Sequence, residues 1–182
     1  HCKAERDKLR YSKYVQSEIG NTFQECKRLL DRGIAVCFSG TPCQIHGLKG
    51  YLDKDYKNLI LVDIVCHSVP SPMIFSKYLE LQKKNKKFDN IVFRDKHWGY
   101  SYSTMALYDG SKCVYRKGSE SDLWFRSFLP GLCDRESCYD CQYQSWPRIS
   151  DITIWDCFNV KKFDKSFDDN KGTTSMVVWS NK

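Results

Sequence analysis

The residues of this chain best suited to chemistry are cysteines. Cys138 and Cys141 form a C-x-x-C pair in "SCYDCQY", a spacing that lets two sulfurs chelate one metal centre from a tight turn or a single helical turn. Cys43 stands behind a proline in "SGTPCQIHGLKG", residues 39 to 50. Thr41 supplies an N-cap oxygen and Pro42 sits where its missing N–H costs nothing, so Cys43 falls among the unpaired N–H groups of a helix start. The helix dipole favours a thiolate there. Cys66 opens "CHSVPSP", residues 66 to 72, and again lies between an apolar run and a helix, this one begun by Ser71 and Pro72. Cys43, Cys66, Cys138 and Cys141 thus offer four thiolates from three loops, enough for tetrahedral zinc or an iron-sulfur cluster. A thiol redox pair of Cys138 and Cys141, or cysteines that are simply buried, are the competing readings.

Other candidates carry less. Cys133, five residues before Cys138, competes as a fourth ligand, whereas Cys26, Cys37, Cys113 and Cys157 read as core or surface filler. His67 beside Cys66 suggests a Cys-His nucleophile, but adjacent residues point in different directions and no orienting partner is fixed. His46 reads as a polar helix residue. Trp98, Tyr100, Tyr102 and Tyr108 could stack on a planar cofactor, although alternating aromatics in strands commonly serve packing. No G-x-G-x-x-G or Walker loop is present, so a Rossmann or P-loop nucleotide site is not supported.

These thiols must be positioned by strand ends and helix starts. Thr22 and Glu25 have the spacing of a capping box opening a helix with Phe23, Cys26, Leu29 and Leu30 on one face, closed by Gly33. The run Ile34 to Phe38 reads as an interior strand, followed by a helix from Pro42 to about Leu52 and a second strand over Leu59 to Val65. Strand, helix, strand in this order predicts two parallel strands. Cys43 and Cys66 then both follow carboxyl ends of strands, the edge at which ligands gather in open α/β sheets. From Asn90 the pattern alternates in "IVFRDK", "YSTMALY" and "KCVYRK", with Asp109 and Gly110 in a hairpin turn. A helix from Ser121 ends at Pro130 and Gly131, and strands follow in "SDITIWD" and "SMVVW". The expected fold is α/β: a mixed sheet with an N-terminal parallel strand-helix-strand core and an antiparallel extension, in a single domain over residues 1–182.

Composition bounds the class. At 182 residues and 41% hydrophobic the chain can build one sizeable core. Its net charge of +7 is spread along the length apart from Lys83 to Lys87, which reads as a solvated helix end, so no nucleic-acid partner is expected. No apolar run approaches the roughly 20 residues needed to span a bilayer. Ten cysteines without a visible secretion signal fit metal ligation or redox chemistry in a reducing cytoplasm better than a disulfide scaffold.

The segments "SKYVQSEIG", "FSGTPCQIHGLKGYL", "NLILVDIVCHSVPSP", "FRDKHWGY", "SCYDCQY", "RISDITIWD" and "DDNKGTTSMVV" follow the order and rough spacing of the coenzyme F420 hydrogenase/dehydrogenase beta subunit family, in its C-terminal domain. The chain resembles that family over nearly its whole length. The resemblance implies an iron-sulfur flavoprotein component that passes electrons between a 4Fe-4S cluster, FAD and a small-molecule hydride or electron acceptor, with a ferredoxin-like module or redox partner protein. Carried over, it makes Cys43, Cys66, Cys138 and Cys141 the cluster ligands and puts Ser39, Gly40, Thr41 and Pro42 near the flavin. The chain departs from the family pattern at Trp155, where a small residue is usual, and at Ser68, where glycine is usual. It also starts after the family's N-terminal part, which implies a fragment of a longer protein and a flavin site completed elsewhere. The rival reading is a zinc-bound or metal-free structural, partner-binding module associated with polysaccharide biosynthesis.

Overall fold

The computed structural model describes residues 12–181. They divide into two compact units: a first of residues up to Gln16 with Ser68–Tyr139 and Asp168–Lys171, and a second of Ser17–His67, Asp140–Phe167 and Gly172 onward. The class is α/β, with one mixed sheet and a separate antiparallel sheet.

The second unit is built on the mixed sheet. Helix α1 (Thr22–Asp31) leads to strand β1 (Val36–Gly40), helix α2 (Pro42–Leu52) and strand β2 (Leu59–Ile64), and β6 (Ile152–Asp156) and β7 (Thr174–Val178) complete the order β1-β2-β6-β7. The β1-β2 and β2-β6 pairs are parallel and β6-β7 is antiparallel, so the mixed sheet gains its antiparallel strand from the C-terminal run. Leu59 and Leu61 of β2 join Cys26 and Leu30 of α1 and Ile45 and Leu48 of α2 in one buried cluster. The opposite face of the sheet carries Ile60 and Ile64, about 40% exposed, beside Met176 and Val178 of β7.

Two local expectations are corrected here. The run from Ile34 is not interior: β1 pairs on one side only, Cys37 and Ser39 are exposed, and burial comes from Val36 and Phe38 packing against the helical layer. A strand rich in apolar residues can thus be an edge when helices cover just one of its faces. The capping box at Thr22 does not form either, because Asn21 is the N-cap and makes no side-chain cap bond. The Thr22 hydroxyl donates to Ile19 O, and Glu25 accepts instead from Arg28 Nε at 2.8 Å. The other end is as expected: Gly33, at φ +76°, donates to Leu30 O and Ile34 N–H reaches Leu29 O, the paired bonds of a Schellman ending.

The first unit holds helix α3 (Pro72–Lys83), strands β3 (Asn90–Phe93), β4 (Thr104–Asp109) and β5 (Lys112–Gly118), and short helices α4 (Leu123–Phe128) and α5 (Glu136–Tyr139). The three strands form their own antiparallel sheet in the order β3-β4-β5 rather than lengthening the first one. Alternation identifies a strand but not its sheet, and here the aromatic helix α4 supplies a separate core of Trp124, Phe125 and Phe128 against Tyr78, Phe93 and Met105. Asp122, not Ser121, starts α4: its carboxylate accepts from Phe125 N–H at 3.0 Å.

Candidate functional site

Cys43 sits where the sequence puts it, in the first turn of α2, directly after the carboxyl end of β1. Thr41 is the N-cap in extended backbone, Pro42 is the first helical residue and is buried, and Thr41 N–H donates to Gln44 Oε1 at 2.9 Å, one arm of a capping box. Gly40 makes that arm possible. A Cβ at residue 40 would lie 2.9 Å from Gln44 Oε1 and 3.2 Å from Gln44 Cβ, so only glycine lets this side chain fold back over the strand end. Thr41 Oγ1 then lies 3.1 Å from Cys43 Sγ, a hydrogen-bonded contact on a half-buried thiol. Ser39, exposed, and Gly40 close β1 and line the approach to this turn.

Cys66 is half-buried two residues beyond β2, whose extension is pinned by Val65 N–H donating to Ile154 O at 3.0 Å. Cys141 is half-buried in the second unit. Cys138 is half-buried in α5 of the first unit, where its N–H donates to Arg135 O at 2.8 Å. The division between units therefore runs through the C-x-x-C segment, between Tyr139 and Asp140. Among the described residues no group of three or more His, Cys, Asp or Glu side chains is gathered to hold a metal ion.

The donor chemistry nevertheless suits a soft metal centre. None of the nine described cysteines is in a disulfide, and the four candidates are half-buried, open enough to meet a metal. Cys133 differs. It is 3% exposed within the aromatic core of the first unit, and burial, with Asp134 adding to it, pushes its thiol up. Its carbonyl accepts from Ser71 N–H at 2.7 Å, so the residue ties the start of α3 in place. Cys26 is likewise in a core, its thiol raised by burial.

Several charged residues that sequence reasoning passed over are central to the second unit. Asp63 of β2 is 2% exposed and faces Arg148, 7% exposed by its side chain, across 3.9 Å. Asp151, ahead of β6, accepts from Leu61 N–H at 2.8 Å and from Ser180 Oγ, holding β6 to its neighbours. The signal was present in "RISD", where two charged residues stand immediately before an apolar strand. Trp155, the bulky departure in "ITIWD", is accommodated edge-on to Trp146 at 6.4 Å, and Trp146 in turn meets Trp179 at 5.1 Å. His46 packs on Tyr143 with ring centroids 4.6 Å apart, as a polar helix residue does.

A parallel strand-helix-strand core with Cys43 and Cys66 just past its strand ends defines an α/β domain. The family comparison is specific: the model for the C terminus of the coenzyme F420 hydrogenase/dehydrogenase beta subunit matches residues 34–182. The chain belongs to that family. No curated protein and no solved structure matches it. The matched stretch contains all four candidate cysteines and segments of both units. No helix among the described residues is long and apolar enough to cross a membrane.

Proposed function

We propose that this chain is a redox domain of a beta-subunit-type oxidoreductase, in which Cys43, Cys66, Cys138 and Cys141 hold a 4Fe-4S cluster that serves a flavin. The observation that carries the reading is family membership over residues 34–182, taken with four half-buried thiols outside any disulfide. When bound, such a cluster supplies one-electron transfer at a potential set by its ligands and surroundings. The chain's own contribution is at the helix start. The Thr41 hydroxyl, 3.1 Å from Cys43 Sγ, would donate a hydrogen bond to that sulfur when it ligates the cluster. Ser39, Gly40, Thr41 and Pro42, at the same strand end, would border the flavin, FAD in this reading. A ferredoxin-like module or redox partner protein exchanges electrons with the domain in the cytoplasm, and a small-molecule hydride or electron acceptor is the final substrate.

A second reading is a zinc-bound or metal-free partner-binding module, and only its metal-free form agrees with the lack of a gathered metal group among the described residues. The two separate on the visible spectrum and the iron, sulfide and zinc content of protein reconstituted without oxygen. A brown protein with about four irons per chain, as four-thiolate ligation requires, supports the redox reading. Stoichiometric zinc, or a colourless protein without metal, supports the module.

A further inference from the structure

We propose that the first unit carries a docking surface for an acidic partner protein, centred on the four lysines at the end of α3. Lys83, Lys84, Lys86 and Lys87 span the last residue of the helix and the chain just past it. Three of them line a shallow recess of about 480 Å³, whose wall is Lys83, Asn85, Lys86, Lys87 and Phe88 and contains no carboxylate. A fifth cation comes from β5: Lys86 and Lys117 both set their ammonium groups over the Tyr115 ring, at 5.1 and 5.6 Å. The inference rests on the proposed function only for the chain having a redox partner.

Ion pairing sets these lysines apart. Several exposed cations elsewhere stand beside carboxylates, as Lys27 does with Asp31 at 3.1 Å, Lys49 with Asp55 at 3.5 Å and Lys171 with Asp169 at 3.8 Å. Lys83, Lys84, Lys86, Lys87 and Lys117 have no ion-pair partner among the described residues. The acids around them leave the balance positive. Glu80 is matched by Lys77 at 2.9 Å, and Asp109 stands opposite Lys112 in the hairpin. Asp89, held by Gly110 N–H at 3.2 Å, and Glu120 are left to offset five ammonium groups. A helix C-terminus favours lysine by itself, which accounts for Lys83 and Lys84. It does not account for Lys117, which lies on a strand and joins the same surface.

The kind of partner follows from which cations these are and what lies between them. The family is by its description that of a beta subunit, a component that works beside other chains. All five cations are lysines. A phosphate polymer or a lipid headgroup layer is best gripped by the planar fork of arginine, whereas compact ammonium groups on flexible stems steer a carboxylate-bearing surface without fixing its geometry. Phe88 and Tyr115, the rings among the lysines, are half-buried. They suit the apolar centre of a protein interface with a charged rim, and do not stand out as the apolar face of a bilayer anchor does. Like-signed charge gathered on one surface also raises the rate at which an oppositely charged protein arrives.

The test is isothermal titration of the full chain, with and without reconstituted iron, against three probes: an acidic ferredoxin, vesicles of phosphatidylcholine with phosphatidylglycerol, and a single-stranded DNA oligonucleotide. Binding of the ferredoxin that weakens as salt rises from about 0.05 to 0.3 M is the expected result. Lys83→Glu and Lys87→Glu, both at exposed positions of the recess, should each weaken it on the order of tenfold, as expected for exchanging an attraction for a repulsion at a few ångströms. Lys57→Glu, exposed on the second unit, should change nothing. Charge pairing needs no cluster, so a chain that takes up no iron contradicts the redox reading while its ferredoxin binding still decides the surface. Failure of the ferredoxin to bind, binding that survives both reversals, or lysine-dependent binding of the vesicles or the DNA in preference to the ferredoxin overturns the proposal.

Discussion

Replacing Asp122 with alanine should be among the most damaging single changes in the first unit. The carboxylate is fully buried and accepts three hydrogen bonds: from Tyr78 Oη at 2.9 Å, Tyr115 Oη at 2.8 Å and Phe125 N–H at 3.0 Å. Losing the helix cap costs about 1 kcal/mol. Orphaning the hydroxyl of Tyr78, itself 6% exposed, costs about 2 kcal/mol more, while half-buried Tyr115 can turn to water. The expected loss is about 3 kcal/mol. Asp122→Asn sheds the burden of a buried charge but keeps one acceptor oxygen, enough for the cap or for the tyrosines and not for both, so it should cost about 1–2 kcal/mol. The same node predicts an alkaline signature. Burial, and then the Asp122 carboxylate, push both tyrosines well above their ordinary value of 10.0. A raised folded-state value means that the stabilisation is complete below the unfolded value and is lost as pH rises beyond it. Each tyrosine should therefore steepen the loss by about 1.4 kcal/mol per pH unit above about pH 10. Urea unfolding followed by tryptophan fluorescence, at pH 7 and from pH 9 to 11, measures both effects against Tyr78→Phe, which should flatten the alkaline slope. Asp122→Ala within about 0.5 kcal/mol of the parent at pH 7, or an alkaline slope unchanged in Tyr78→Phe, would refute this reasoning.

Gly40→Ala should displace Gln44 from Thr41 N–H, because the new Cβ would lie 2.9 Å from Gln44 Oε1. The lost bond, about 1 kcal/mol, is roughly offset by the lower chain entropy of alanine, so the melting temperature should change little while amide exchange at Thr41 accelerates. Cys133→Ala removes a sulfur from the aromatic core and should lower stability by about 1–2 kcal/mol with iron uptake unchanged; reduced iron uptake in a folded variant would make Cys133 a ligand after all. Arg148→Met strands Asp63 without its ion partner and should cost about 3–5 kcal/mol, much of it recovered in the Asp63→Asn, Arg148→Met double variant. Additive losses in that cycle would show that the 3.9 Å pair is not coupled.

The parts of the fold that follow from local chemistry were readable. Pro42 and Pro72 mark helix starts because each occupies the first helical position, and Gly33 marks an end because φ +76° suits glycine. Leu59 to Ile64 announces a strand by composition, and its parallel pairing with β1 follows from the intervening helix. What depends on distant partners was not readable. The spacing of Thr22 and Glu25 suited a capping box, but Arg28 one turn on took the carboxylate. The alternating strands from Asn90 carried no mark of belonging to a second sheet, since that depends on the core supplied by Trp124, Phe125 and Phe128 some thirty residues later. Cys133 and Cys138 look alike five residues apart, yet the first is enclosed by that aromatic core and the second is half-buried. The lysines at residues 83, 84, 86 and 87 read as a solvated helix end until Lys117, on a later strand, joins Lys86 over the Tyr115 ring.

The central claim is that four particular thiols hold one cluster, and iron and acid-labile sulfide assayed in single cysteine-to-serine variants address it most directly. After reconstitution without oxygen, Cys43→Ser, Cys66→Ser, Cys138→Ser and Cys141→Ser should each lose iron and sulfide together relative to the parent, while Cys37→Ser, exposed on β1, should retain both. Full iron and sulfide in all four variants, or none in the parent, would contradict the account.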